Sequence, residues 1–172
     1  MRKFVKLLTY WVIFMINNQV YADPAVYEKY VDEIVLSLSQ NAKQDLDLIS
    51  IGDGGRMPND IERIDVKFIK CAKASINEAR ELEVKATEKL VQLINAHEKI
   101  RPYLREYPFK ANRTAVAISF QKKDGSDYTD GSVAYVTQIN NMIYYAGIDP
   151  KTLQLYDIAV EPYEEALKKI QK

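Results

Sequence analysis

One cysteine, one histidine and one tryptophan in 172 residues exclude a great deal before any motif is weighed. With Cys71 alone, no internal disulfide can staple the fold, which must stand on its hydrophobic core. The thiol is left with two uses, a small partly buried strand position or a bond to another chain. His97 has no second histidine or cysteine with which to build a usual zinc set. Paired with Cys71 it would make a thiol and its base, yet one sits near a strand end and the other at a helix end. A histidine capping a helix C-terminus suits the position better. Charge of one sign is also lacking, with 24 bases against 24 acids. The longest apolar run, Leu7–Ile16, is half the ~20 residues of a spanning helix.

That short run has the makings of an export signal. Arg2 and Lys3 precede it, Asn17, Asn18 and Gln19 break it, and Val20 and Ala22 place small residues where a signal peptidase reads them. Cleavage after Ala22 is expected; an uncleaved anchor is the alternative. No cysteine near the cleavage point offers a lipid attachment. The signal removes three bases and no acid, leaving residues 23–172 with a formal charge of −3. A weakly acidic domain of that length has no electrostatic footprint for nucleic acid and is large enough to fold as a single unit. No membrane span is expected after cleavage.

Asp23 and Pro24 read as the cap and first residue of a helix running to about residue 42, with Tyr27, Tyr30, Val31, Ile34 and Leu38 inward. Strands are expected over Leu46–Ile51 and Ile61–Cys71, the second alternating Ile64, Val66 and Phe68 with charged residues. Between them, the glycine-rich Gly52–Asp60 stretch reads as a loop. Ser75 and Glu78 form a capping box for a helix to about His97. A proline-bounded segment, Ile100–Phe109, holds room for one short turn. From Arg113 the period is two, giving strands at 113–121, 132–139, 142–148 and 153–160, and Pro162 opens a closing helix. The order α-β-β-α-β-β-β-β-α implies an α+β fold, an antiparallel sheet of about six strands with helices on one face.

Asn140–Asn141 suits the positive φ angles of a two-residue hairpin, which sets Thr137 opposite Tyr144 and Val136 opposite Tyr145. A tip at Pro150–Lys151 would set Tyr145 opposite Tyr156 and Ala146 opposite Leu155. On that reading Ile139, Met142, Tyr144, Ile148, Leu153 and Leu155 face the core. Val136, Gln138, Ile143, Tyr145, Gln154 and Tyr156 then form the outer face. Tyrosines, amides and aliphatics together suit a peptide- or sugar-binding surface; the alternative is ordinary sheet surface with cross-strand tyrosine pairs.

The remaining patterns are weaker. Gly52–Asp53–Gly54–Gly55 lacks the Lys-Ser/Thr and following helix of a phosphate loop. Asp124, Asp127 and Asp130 are spaced by three, unlike a calcium loop, and read as a solvated hairpin tip. Arg101, Tyr103, Arg105, Tyr107 and Phe109 interleave bases with aromatics, but Glu98 and Glu106 interrupt them. Arg101 and Tyr103 are kept as a second candidate binding patch. No cofactor is expected.

The segments Gly54–Pro58 (GGRMP), Glu78–Leu82 (EAREL), Ile100–Leu104 (IRPYL), Tyr107–Phe109 (YPF) and Tyr163–Ala166 (YEEA) resemble a family of small exported bacterial proteins of unknown function. The resemblance spans most of residues 23–172 and implies a single exported domain without implying a reaction. Two functions stay open. One is a non-enzymatic binding module of the periplasm or extracellular space, acting on a protein, peptide or glycan there or in a host. The other is an enzyme of cell-envelope polymers using carboxylates such as Asp53, Asp60 or Asp130, which would need two of them ~5–10 Å apart in a cleft.

Overall fold

Two stretches of unmistakable alternation, Ile64–Val66–Phe68 and Val116–Ile118–Phe120, are fully buried and lie on two adjacent inner strands of a six-stranded sheet. The computed structural model describes residues 24–171; the export signal and the Asp23 cap lie outside them. In chain order the elements are α1 (Pro24–Leu46), β1 (Ile49–Arg56), β2 (Arg63–Lys70), α2 (Ile76–Ala96), β3 (Thr114–Phe120), β4 (Tyr135–Ile139), β5 (Met142–Ile148), β6 (Leu155–Pro162) and α3 (Tyr163–Ile170). Short 3-10 turns cover Glu98–Tyr103 and Ala111–Arg113. This is the α+β order expected, with one refinement. The strands lie in sequence order across the sheet, and every neighbouring pair is antiparallel except β2 and β3. Those two run parallel because α2 carries the chain back over the sheet between them, a crossover that a two-residue turn cannot make.

The capping box forms as its residues dictate. The Glu78 amide donates to Ser75 Oγ, while Glu78 Oε2 accepts from the Ser75 amide at 2.8 Å. The buried stripe of α2 is wider than an amphipathic reading allows, because the helix lies on the sheet with α1 and α3 beside it. Val84, Glu83 and Thr87 are as buried as Ala86 and Leu90, while Leu82 and Leu93 are only partly covered.

The glycine-rich stretch after Ile51 departs from expectation. It is not a loop: β1 continues through Gly52–Asp53–Gly54–Gly55 to Arg56, paired with β2 down to Arg63, with a bulge between Ser50 and Gly52. Glycine breaks strands when nothing else holds them, but here the backbone ladder to β2 does. At Gly55 glycine is required, since a Cβ there would lie 2.3 Å from the Arg63 carbonyl oxygen. Gly55→Ala is therefore expected to destabilise the fold by about 1–3 kcal/mol, the cost of overpacking where the obstacle is backbone. Urea unfolding checks this, with Gly54→Ala as control; no atom lies within 4 Å of a Cβ at Gly54.

The β4–β5 hairpin has the expected register, with φ of 51° at Asn140 and 64° at Asn141. The β5–β6 connection does not. Its tip is the six-residue Asp149–Gln154, in which Asp149 Oδ1 accepts from the amides of Lys151 and Thr152, and Leu153 takes a φ of 56°. A bulge beside Ala146 adds a further shift, so Tyr145 lies opposite Ala159 and Tyr156 opposite Gly147.

Candidate binding surface

The two faces of β4 and β5 are the reverse of the sequence reading. Val136, Gln138, Ile143 and Tyr145 are fully buried beneath the helices, on the same side as Val116 and Ile118. Tyr145 and Gln138 are therefore not surface residues. The reversal has a simple origin: both faces of these strands are apolar, so alternation within them carries no sign. The sign comes from β3, where Val116, Ile118 and Phe120 oppose Ala115, Ala117 and Ser119 without ambiguity.

Among the described residues, no helix lies on the other face of the sheet. Registers place its outward residues in three rows from β1 to β6. The middle row is Gly52, Lys67, Ala117, Thr137, Tyr144 and Val160. Toward the loop after β3 lie Ile49, Ile69, Ser119, Tyr135, Ala146 and Asp157. Toward the Asn140–Asn141 turn lie Gly54, Asp65, Ala115, Ile139, Met142 and Pro162. Ile49, Tyr144 and Val160 are 43%, 37% and 46% exposed. Solvated faces of antiparallel sheets normally carry polar and charged side chains. Here the nine outward positions on β3, β4 and β5 include no charge at all, in a chain of which 28% is charged. Charges return only at the flanks, with Arg56 on β1, which pairs with Glu62, with Arg63, Asp65 and Lys67 on β2, and with Asp157 on β6.

The remaining expected site residues are dispersed. The Tyr156 ring lies over Gly147, where a Cβ would meet its Cζ at 2.8 Å, and Gln154 is exposed in the β5–β6 tip. Tyr103 serves packing: its ring stands 6.0 Å from Tyr27 and 6.1 Å from Tyr30, and its carbonyl accepts from the Ile61 amide. Arg101 is exposed, its guanidinium 4.9 Å above the Tyr107 ring. Arg101 and Tyr103 thus belong to a corner of the molecule separate from Tyr156 and Gln154.

Nor are the carboxylates named for an enzyme gathered together. Asp60 precedes β2 and binds Arg105, whereas Asp130 lies beyond the far end of β2 and binds Lys73 at 2.7 Å. Eight strand residues, about 25 Å, separate those positions. Asp53 lies instead with Glu28 and Asp32 on a cleft of about 290 Å³ beside α1, and all three are exposed. Asp124 and Asp130 accept from Ser126 and Ser132 in their own turns. Cys71, exposed, precedes the Ser75 cap of α2, and His97 ends that helix about 30 Å away. Among the described residues, no cluster of three or more His, Cys, Asp or Glu is placed to hold a metal ion, and no helix is long and apolar enough to cross a membrane.

Three buried carboxylates escaped the sequence reading: Glu62, which pairs with Arg56 and Arg105, and two others. Glu161 on β6 accepts from Arg80 Nε and Tyr145 Oη, both at 2.6 Å, and from Lys169 Nζ at 2.5 Å. Burial pushes its pKa up, but the hydrogen bonds from Lys169, Tyr145 and Arg80 outweigh this and hold it below the ordinary glutamate value. Burial also raises the Tyr145 phenol, with the bond to Glu161 adding to the shift. Glu83 lies deeper. One oxygen accepts from the Gln138 amide at 2.9 Å, while the other has no partner among the described residues, like Thr87 Oγ1 one turn on. Desolvation pushes the Glu83 pKa well up, with the Gln138 amide pulling weakly the other way. The detectable signal was on α2, where Arg80, Glu83 and Thr87 form a polar stripe against the apolar one.

Between α1 and α2, adjoining clefts of about 330 and 270 Å³ share Asp45, Leu46 and Lys85. The lysines of the larger are engaged: Lys70 with the Leu46 carbonyl, Lys73 with Asp130, and Lys85 with Glu81. No protein-family model, curated protein or solved structure matches the chain.

Proposed function

We propose that this protein is a non-enzymatic interaction module of the periplasm or extracellular space, and that it takes a protein partner on the open face of its sheet. The observation that carries the reading is the uncharged centre of that face, nine outward positions on β3, β4 and β5. Tyr144 is exposed there, Ala117 and Ala146 are covered by their neighbours and the other six positions are partly exposed, and a surface of that make-up with no helix over it is the sort that marks an interaction site. A broad, nearly flat patch suits a protein better than a small ligand, which needs a concavity. Export rests on the charge, apolar run and small residues of Met1–Ala22, together with the resemblance to small exported proteins.

The test is a photo-crosslinking amino acid at Ser119, in the outward row of β3, in chain expressed from its full-length gene. Illumination of cells is expected to give a defined protein adduct from Ser119 and none from Glu165 on the exposed side of α3. If the two positions give the same result, the open face is not the binding surface.

A further inference from the structure

We infer that the partner on this face is a second copy of the same chain, packed face to face about a two-fold axis parallel to the central strands. The inference rests on the reading of the open face as an interaction surface and names what covers it.

Two observations carry it. The first is area. Six strands at ~4.8 Å spacing and three rows ~6.8 Å apart span about 30 Å by 20 Å. Two such faces bury on the order of 1,200 Å², enough for a specific interface. The second is charge. Arg63 and Asp65 neutralise each other through paired hydrogen bonds of 2.7 and 2.8 Å. That leaves one unpaired charge on each flank, Lys67 on β2 and Asp157 on β6. Both are exposed and neither has an ion pair among the described residues. An axis along the strands, between β3 and β4, exchanges the two sides of the sheet, so each Lys67 comes to the side of the other copy that carries Asp157, one strand and one row away. An axis across the strands would instead set Lys67 against Lys67. Isologous contact also requires one patch to complement itself, and a face with an uncharged centre and opposite charges at its two sides does so.

Sedimentation equilibrium of the purified chain tests the assignment. The wild type is expected to dimerise. Lys67→Glu and Asp157→Lys should each weaken the dimer about ten-fold or more by setting like charges together. The double variant should return to near the wild-type constant. A monomer at ~100 µM chain, where even a weak specific dimer forms, overturns the inference, as does a dimer unmoved by either reversal. The mass of the Ser119 adduct separates the two readings. Twice the chain mass supports the second copy. A foreign mass removes the second copy but leaves the open face as a binding surface, and no adduct with a monomer removes both.

Discussion

Glu161→Ala is expected to lower folding stability by about 3–5 kcal/mol, the range for removing one member of a buried charge pair. The cost falls on what remains. Arg80, whose side chain is 13% exposed, donates its Nε to Glu161 at 2.6 Å, and Tyr145 directs its buried hydroxyl at the same oxygen. Without the carboxylate, the Tyr145 phenol is left with no acceptor and the Arg80 guanidinium keeps only its Nη1 bond to Asn77. Lys169 is half exposed and loses little, since water replaces its partner. Removing the donor side should be milder: Tyr145→Phe deletes one hydroxyl and keeps the ring, for about 1 kcal/mol. Urea denaturation ranks the two. In a domain of this size the alanine variant should melt about 10 °C lower. Glu161 also sets an acid limb, because its folded pKa lies below the unfolded one. Its contribution is fully present above about pH 4.5 and is lost as pH falls through the folded value. Equal stabilities of the alanine variant and wild type at pH 7 would show that the cluster is solvated.

The parts of the fold legible in the sequence were those written in local chemistry. Ser75 and Glu78 announce α2 because each satisfies the backbone of the other. Asn140 and Asn141 announce their turn because asparagine tolerates positive φ. Ile64, Val66 and Phe68 announce β2 because charged residues separate them. What could not be read depended on neighbours distant in sequence. Gly52–Gly55 is a strand only because β2 holds it, and β2 is parallel to β3 only because α2 intervenes. The binding surface failed at a finer level. Its centre includes Ala117, Thr137 and Tyr144, and the register joining the last two was correct. Their face was inverted because both faces of β4 and β5 are apolar, and the one amide among them, Gln138, is on the inner side. It is buried since Thr114 and the Ala111 carbonyl satisfy its side chain, and no local pattern reveals partners 24 and 27 residues away. An amide in a strand marks the outer face only when the core offers nothing to bond it.

The same logic of buried polar groups governs the largest pH effect. Glu83→Gln is expected to stabilise the protein at pH 8 and to leave it no more stable than wild type near pH 4. Glu83 is fully buried, its one partner among the described residues is the amide of Gln138, and burial lifts its pKa well above the unfolded value of about 4.5. A raised folded pKa means that the unfolded chain gives up its proton first. The stability the protonated carboxyl contributes is complete below about pH 4.5 and drains away as pH climbs toward the folded value. Each pH unit across that window removes about 1.4 kcal/mol. Glutamine keeps an oxygen for the Gln138 amide and never ionises, so its profile lacks this decline. Near pH 4 both side chains are neutral and the variant gains nothing, since a primary amide brings N–H donors into a fully buried site in which the second Glu83 oxygen already has no partner among the described residues. Melting temperatures of the two proteins should therefore diverge as pH rises from about 4.5 toward the folded value, every other titrating group cancelling in the difference. Parallel curves would mean that water reaches Glu83 in the folded state.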